Sequence, residues 1–152
     1  MGGLLAQILG ARGLGRAMVL LTPASPAGIL ALTPSVIRSF WSVMTVWGFW
    51  RKPMRLTYGE AAYAMLHLLP EAERRAVYET FVYESGRAAF EIGFWLLDSR
   101  RAAAVDEKQV RCPVLVLAGA EDRITPAAIV RRVAHKYKDV ATYRELAGHA
   151  HW

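Results

Sequence analysis

The stretch Cys112-Pro-Val-Leu-Val-Leu-Ala-Gly-Ala-Glu-Asp-Arg-Ile-Thr-Pro126 decides the fold class. Val114 to Leu117 is an apolar run without polar alternation, closed by Ala118-Gly119-Ala120. Such runs belong to strands covered on both faces, as in parallel sheets. Thr125 and Pro126 then read as the N-cap and first position of a helix, with Ile129, Val130, Val133, Ala134 and Tyr137 on one of its faces up to Lys138. Strand, acidic loop and helix in this order place Asp122 at the C-terminal end of a buried strand, where open α/β sheets gather functional groups.

Downstream, Ala141 to Leu146 reads as a further strand, and Ala147-Gly148-His149-Ala150-His151-Trp152 brings two imidazoles to its end. Neighbouring strands lie about 4.8 Å apart, so side chains on the two loop tips can meet. Upstream, Ala17 to Leu21 is a second unalternated run, closed by Thr22-Pro23-Ala24-Ser25-Pro26. Before it, Gly2 to Ala11 sets Leu4, Leu5, Ile8 and Leu9 at helical spacing, without an N-cap of its own and with Gly10 and Gly13 as terminators. Helix, strand, long insertion, strand, helix, strand is the order of an α/β fold with about three parallel strands and right-handed crossovers.

The division is therefore 1–25 and 105–152 for the α/β core and 26–104 for the insertion. The insertion reads as helical throughout. Thr33-Pro34 starts one helix, Thr57-x-x-Glu60 is a capping box for another, Pro70-Glu71 opens a third, and Gly86 and Gly93 interrupt the later part. Val36, Phe40, Val43, Met44 and Trp47 form a stripe at helical spacing, with Trp41, Phe49 and Trp50 beside it. That stripe is either the core of a helical subdomain or the lining of an apolar substrate pocket, and a lid can be both at once. In the second case Phe40, Trp41, Met44 and Trp47 are the substrate-binding residues.

Composition narrows the function classes. The chain has 152 residues, 54% of them apolar, and 19 Lys+Arg against 13 Asp+Glu, a net charge of +6. That suits one folded core and not disorder. The single Cys112 excludes an internal disulfide, and no Cys/His cluster has metal-ligand spacing, so no metal or other cofactor is called for and a reducing, cytoplasmic compartment is the default. The basic residues are scattered pairs, such as Arg100-Arg101 and Arg131-Arg132, without interleaved aromatics, which argues against nucleic acid. The greasiest stretch, Phe40 to Trp50, is too short to span a bilayer and stops at Arg51-Lys52.

Asp122 has two readings: a turn residue bonding its own loop, or an acid facing a histidine. An Asp to His hydrogen bond fixes the imidazole tautomer and stabilises the imidazolium formed when the ring takes a proton from a nucleophile. Against this stands the plain alternative of two surface histidines near a chain end.

The CPVLVLAGAEDRITP and AGHAHW segments, in that order, resemble the last part of α/β-hydrolase-fold enzymes, where the acid follows strand seven and the histidine strand eight. Met1-Gly2-Gly3-Leu4-Leu5-Ala6-Gln7 also looks like the residues just after the nucleophile in that family's elbow, G-x-S-M-G-G. The resemblance implies that Asp122 is the triad acid, that His151 is the base with His149 as fallback, and that the Met1 backbone N–H is an oxyanion donor. It implies that segment 26–104 is the variable helical cap. It also implies that the nucleophilic serine, the first five strands and the other oxyanion donor lie upstream of Met1, and that the helix following the histidine is missing. The expected function is part of a serine hydrolase acting by acyl transfer to water on a small apolar acyl or ester substrate, inactive without its nucleophile. The expected partner is the missing N-terminal part of the fold, or a second copy through self-association. A non-catalytic α/β-hydrolase-like binding or interaction module using its Trp-rich cap is the alternative.

Overall fold

The two apolar runs and the strand after Ala141 pair side by side. The structure is a computed structural model describing residues 1–152. Its elements in chain order are α1 (Gly2–Ala11), β1 (Met18–Leu21), α2 (Pro34–Ser39), α3 (Trp41–Met44), β2 (Pro53–Met54), α4 (Tyr58–Ala64), α5 (Glu71–Glu79), β3 (Glu84–Ser85), α6 (Gly86–Gly93), β4 (Val114–Gly119), α7 (Ala127–Lys136) and β5 (Ala141–Leu146). The sheet order is β1-β4-β5, wholly parallel, with Leu20 beside Val116 and Val116 beside Tyr143. Parallel neighbours need long crossovers, and here α7 supplies one and the whole of the insertion the other.

One face of this sheet is closed. Met18, Leu20, Val114, Val116 and Ala118 pack with Ile129, Val130, Val133, Ala134 and Tyr137 in a single buried cluster, with Ala6 and Ala11 of α1 against it. Helices α1 and α7 share that layer, because the Tyr137 hydroxyl donates to Gln7 Oε1 at 2.7 Å. Gln7 is fully buried, and its Nε2 donates to the Gly3 and Ala24 carbonyls at 3.0 and 3.1 Å. A buried amide satisfied this way fixes the seating of α1, since each lost partner would leave a desolvated polar atom.

The other face is open, which corrects the expectation of a sheet covered on both sides. Val19 and Leu21 are 57% and 64% exposed, and β1 is also an edge strand. An unalternated apolar run reports what a strand is able to bury. It does not report whether the same chain supplies a layer to bury it against.

The insertion is also less regular than its sequence suggests. It combines short helices with an antiparallel pair, β2 and β3, and 3-10 turns at Phe49–Arg51 and Trp95–Leu97. The stripe from Val36 to Trp47 is not one helix, because the chain bends at Phe40 (φ −118°) between α2 and α3. Gly86 and Gly93 bound α6 and do not interrupt it. The capping box on Thr57 forms, and the Glu60 carboxylate also accepts from the Ser42 N–H and hydroxyl at 2.7 and 2.6 Å, tying α4 to α3. A second apolar cluster of Val43, Phe49, Leu56, Ala61 and Leu66 gathers Phe40, Trp50, Phe90 and Phe94 around it. The insertion leaves and returns at one place, where the Ala27 N–H donates to the Ala103 carbonyl at 2.8 Å. No helix is long and apolar enough to cross a membrane.

The open face and free edge of β1 expose apolar side chains beside unpaired backbone groups, the arrangement that invites strand pairing. Light scattering at tens of micromolar should show oligomers or aggregates, and Leu21→Lys should reduce them. A monodisperse monomer for the unmodified chain would contradict this.

Candidate functional site

Three loops converge at the C-terminal end of the sheet. The first follows β4, where the Asp122 N–H donates to the Gly119 carbonyl at 3.2 Å and closes a tight turn. The second follows β5, where Gly148 adopts φ +71°, in the left-handed region that glycine enters without Cβ strain. The third follows β1 at Thr22, whose φ of 38° is unusual for a β-branched residue.

Gly119 allows the first two loops to touch. A Cβ on Gly119 would lie 2.5 Å from the carbonyl oxygens of both His149 and Ala150, so only glycine lets the 149–151 backbone cross over the end of β4. Two backbone bonds then stitch the crossing: Ala120 N–H to the Leu146 carbonyl at 3.0 Å and Glu121 N–H to the His149 carbonyl at 2.9 Å. The crossing lands His151 on Asp122, with Nδ1 2.8 Å from Asp122 Oδ2.

Both readings of Asp122 hold together, because the carboxylate has two oxygens. Oδ1 accepts from the Ile124 and Thr125 N–H groups at 2.9 and 2.8 Å, which is the turn-forming role. Oδ2 accepts from the Thr125 hydroxyl at 2.7 Å and faces His151. The Asp122 side chain is wholly buried and that of His151 one quarter exposed. With the carboxylate ionised, Nδ1 must carry the proton, which leaves Nε2 as the nitrogen able to accept one. His149 lies elsewhere, its Nδ1 2.9 Å from the Ala147 carbonyl in its own loop.

Thr125 corrects a sequence expectation. Helix α7 begins at Ala127 with Pro126 in the cap position and no side-chain cap bond. The Thr125 hydroxyl is directed to Asp122 Oδ2, within 3.3 Å of both the Thr22 carbonyl and His151 Nδ1. It has one proton, and the shortest contact takes it. An N-cap hydroxyl would accept from the helix's first N–H groups; here the helix starts one residue later, with Pro126 in the cap position, and the Thr125 hydroxyl serves as a donor to the carboxylate.

The start of α1 reaches the same end of the sheet. A Cβ on Gly3 would meet Pro23 Cβ at 2.8 Å, so α1 docks against the loop that leaves β1, one residue beyond the Thr22 carbonyl near Thr125. Met1 caps this helix with its backbone alone, its carbonyl accepting from Leu4 and Leu5.

The four aromatic and Met candidates of the insertion separate. Trp41 lines an open groove of about 590 Å³ with Pro34, Ile37, Arg38, Thr57 and Glu60. Phe40 packs into the insertion's own cluster, Met44 is half-buried, and Trp47 is 88% exposed and stacked edge-on against Trp50. Asp122 and His151 are not among the groove's lining. The Tyr63 ring links the two places: Arg38 lies 4.0 Å and Arg123 4.8 Å from its centroid, and Arg123 Nη1 donates to the Tyr63 carbonyl.

No sequence signal marks His67. It sits in the turn between α4 and α5, its Nδ1 buried without a partner. Burial pushes its imidazole below the ordinary value, Arg123 acts in the same direction, and Glu121 and Asp122 oppose them.

Sequence comparison matches the chain to no family model and to no curated protein. Structural comparison gives clear similarities. A serine hydrolase from the polyaromatic hydrocarbon-degrading bacterium Cycloclasticus zankles superposes with a TM-score of 0.59 at 17% identity, over 100% of this chain and 55% of its own. A monoacylglycerol lipase from Paleococcus ferrophilus gives 0.58 at 20% identity, over 99% of this chain and 56% of its own. The meta-cleavage product hydrolase of Pseudomonas fluorescens IP01 gives 0.50 at 18% identity, over 99% and 54%. The chain has the α/β-hydrolase fold and spans a little over half the length of these structures.

Two outcomes follow from the geometry. Gly119→Ala should lower stability by at least about 2 kcal/mol, because the clash is with backbone and cannot be relieved by a rotamer change. A thermal midpoint unchanged by this substitution would contradict the crossing. For His67 the neutral ring is favoured in the fold. Below about pH 6.5 the unfolded chain therefore binds a proton the folded chain resists, and stability falls with pH. His67→Leu should lose less of its melting temperature between pH 7.5 and 5.5 than the parent, and parallel curves would contradict the assignment.

Proposed function

We propose that Asp122 and His151 are the acid and base of a serine hydrolase, and that this chain carries the acid–base half of an active site. What supports this most directly is the 2.8 Å contact of a buried carboxylate with Nδ1 of a partly exposed imidazole at the C-terminal end of a parallel sheet. The nucleophile in this reading is a serine immediately preceding Met1, on the elbow leading into α1. The docking of Gly3 on Pro23 favours it, since that contact holds the start of α1 at the end of the sheet where the dyad stands.

The steps follow from proton placement. His151 Nε2 takes the serine proton as the oxygen attacks an ester carbonyl, and Asp122 holds the resulting imidazolium without itself being protonated. The imidazolium returns that proton to the departing alkoxide, leaving an acyl-enzyme. A water then repeats the sequence, with His151 as base towards it, and releases the acid. The Met1 N–H, once part of a peptide bond to the serine, donates to the oxyanion together with a second donor from upstream. His149 is not needed in this arrangement.

The substrate in this reading is an ester with a small apolar acyl group, and segment 26–104 acts as the cap that selects it. Trp41 at the groove is the apolar ring offered, while Phe40 packs into the insertion's own cluster and Met44 is not part of the groove's lining. Trp47 lies outside that groove. The partner is the remainder of an α/β-hydrolase fold, seated on the open face and edge of β1. Its need is suggested by the exposed Val19 and Leu21 and by the share of the related structures that the chain spans.

The chain alone should not turn over p-nitrophenyl butyrate. Joined to an N-terminal α/β-hydrolase half ending in Gly-x-Ser directly before Met1, it should do so. In that joined protein His151→Ala and Asp122→Asn should each lower kcat by about 10³-fold or more, with His149→Ala near the parent. Serine-dependent turnover by the chain alone would place the nucleophile within it, at Ser25 or Ser35, and overturn the assignment. Loss in His149→Ala with activity kept in His151→Ala would move the base. A folded joined protein inactive on every ester tried would favour the binding-module reading.

A further inference from the structure

Two segments of the insertion, 47–54 and 82–87, are locked together into a rigid rim. Strands β2 and β3 pair Pro53 with Ser85 and Met54 with Glu84. The Gly86 N–H donates to the Lys52 carbonyl at 3.2 Å, and a Cβ on Gly86 would stand 2.6 Å from that oxygen and closer still to the Phe49 carbonyl. The backbones therefore approach as only glycine permits.

The outward side of this rim is unusual for a surface with no partner. Trp47 is 88% exposed, and Val82 and Tyr83 are 71% and 68% exposed. Trp47 meets Trp50 edge-on at 5.4 Å, and Trp50 lies against Phe90 at 5.5 Å with the rings tilted by 45°, so the exposed indole is joined through Trp50 to the insertion's core. Between Trp50 and Tyr83 runs a shallow groove of about 430 Å³ carrying Arg51, Lys52 and Arg87 against the single acid Glu84. Arg87 is already held by Glu91 at 2.7 Å, whereas Arg51 and Lys52 have no carboxylate within ion-pair distance.

We propose that this rim docks on an anionic lipid surface. Indole and phenol rings are stable where an apolar phase meets water, with the ring body in the acyl boundary and the N–H or O–H among headgroups. Unneutralised basic residues beside them add attraction to anionic headgroups, each contributing separately near the surface. The rim combines both on a rigid support, and its excess positive charge complements a phosphate-bearing interface. A protein partner would equally cover Trp47. The two free cations beside a groove without deep apolar pockets favour headgroups. Neither Asp122, His151 nor any residue of β1 lines this groove, and the proposal does not depend on any hydrolytic activity.

The test is co-sedimentation of the whole chain with phosphatidylcholine vesicles, with and without about 30 mol% phosphatidylglycerol. Binding should be about tenfold stronger or more on the anionic vesicles and should weaken with salt. The double variant Arg51→Gln/Lys52→Gln should lose that preference, and Trp47→Ala should cut binding to anionic vesicles by about fivefold or more. Trp47 is so exposed that its removal should leave the melting temperature unchanged, which separates lost docking from lost folding. No vesicle binding, or equal binding by parent and all three substitutions, would overturn the proposal. So would binding that survives these changes and disappears in Leu21→Lys, because the contact would then be made by the open sheet face.

Discussion

The carboxylate of Asp122 divides its two oxygens between two tasks, and the geometry at the end of the sheet depends on that division. Oδ1 holds the loop after β4 by accepting two backbone N–H groups, while Oδ2 meets the Thr125 hydroxyl and the His151 ring. A buried carboxylate with four donors around it is satisfied despite its desolvation, where the same group with one or two would not be. The loop bonds come with the turn, so the ring contact adds to an acid that is already fixed. Gly119 is the other half of the constraint, since without it the 149–151 backbone could not cross and the imidazole would have no route to Oδ2.

The sheet beneath is built on one side only. Tyr137 and Gln7 lock α7 to α1 over the closed face, while Val19 and Leu21 project from the open one. The closed layer positions the three strand ends, and through them the three loops. The open face contributes nothing to the dyad's geometry, and it is where an additional layer or strand would add stability through apolar burial, about 25 cal/mol per Å² covered. The insertion has its own apolar cluster and meets the dyad's loop through Ile124, Arg123 on Tyr63, and Phe81 beside Trp152.

Much of this was legible in the sequence because local and global signals agreed. Unalternated apolar runs marked β1 and β4, and the capping box at Thr57 formed as read. That a histidine of the 147–152 loop could meet Asp122 was accessible because both loops follow adjacent strands, whereas the choice of His151 over His149 came from the resemblance to α/β-hydrolase-fold enzymes and not from spacing. Other features were not legible, for identifiable reasons. The bend at Phe40 has no glycine or proline to announce it and falls where the Phe40 ring packs against the second cluster. Thr125 reads as an N-cap by position, yet the helix starts after Pro126 and the hydroxyl donates to Asp122 within its own loop. Gly119 looks like an ordinary strand terminator until the crossing backbone is seen, and His67 lies in a turn whose burial only the fold decides.

The pairing of Asp122 with His151 is tested most directly by the tautomer of the His151 ring, read by ¹⁵N NMR on the histidine-labelled chain at a pH where its rings are neutral. His151 should carry its proton on Nδ1, and Asp122→Asn should alter the His151 signals while leaving those of His149, which bonds its own loop, in place. A His151 ring protonated on Nε2, or one indifferent to Asp122→Asn, would contradict the pairing on which the site is built.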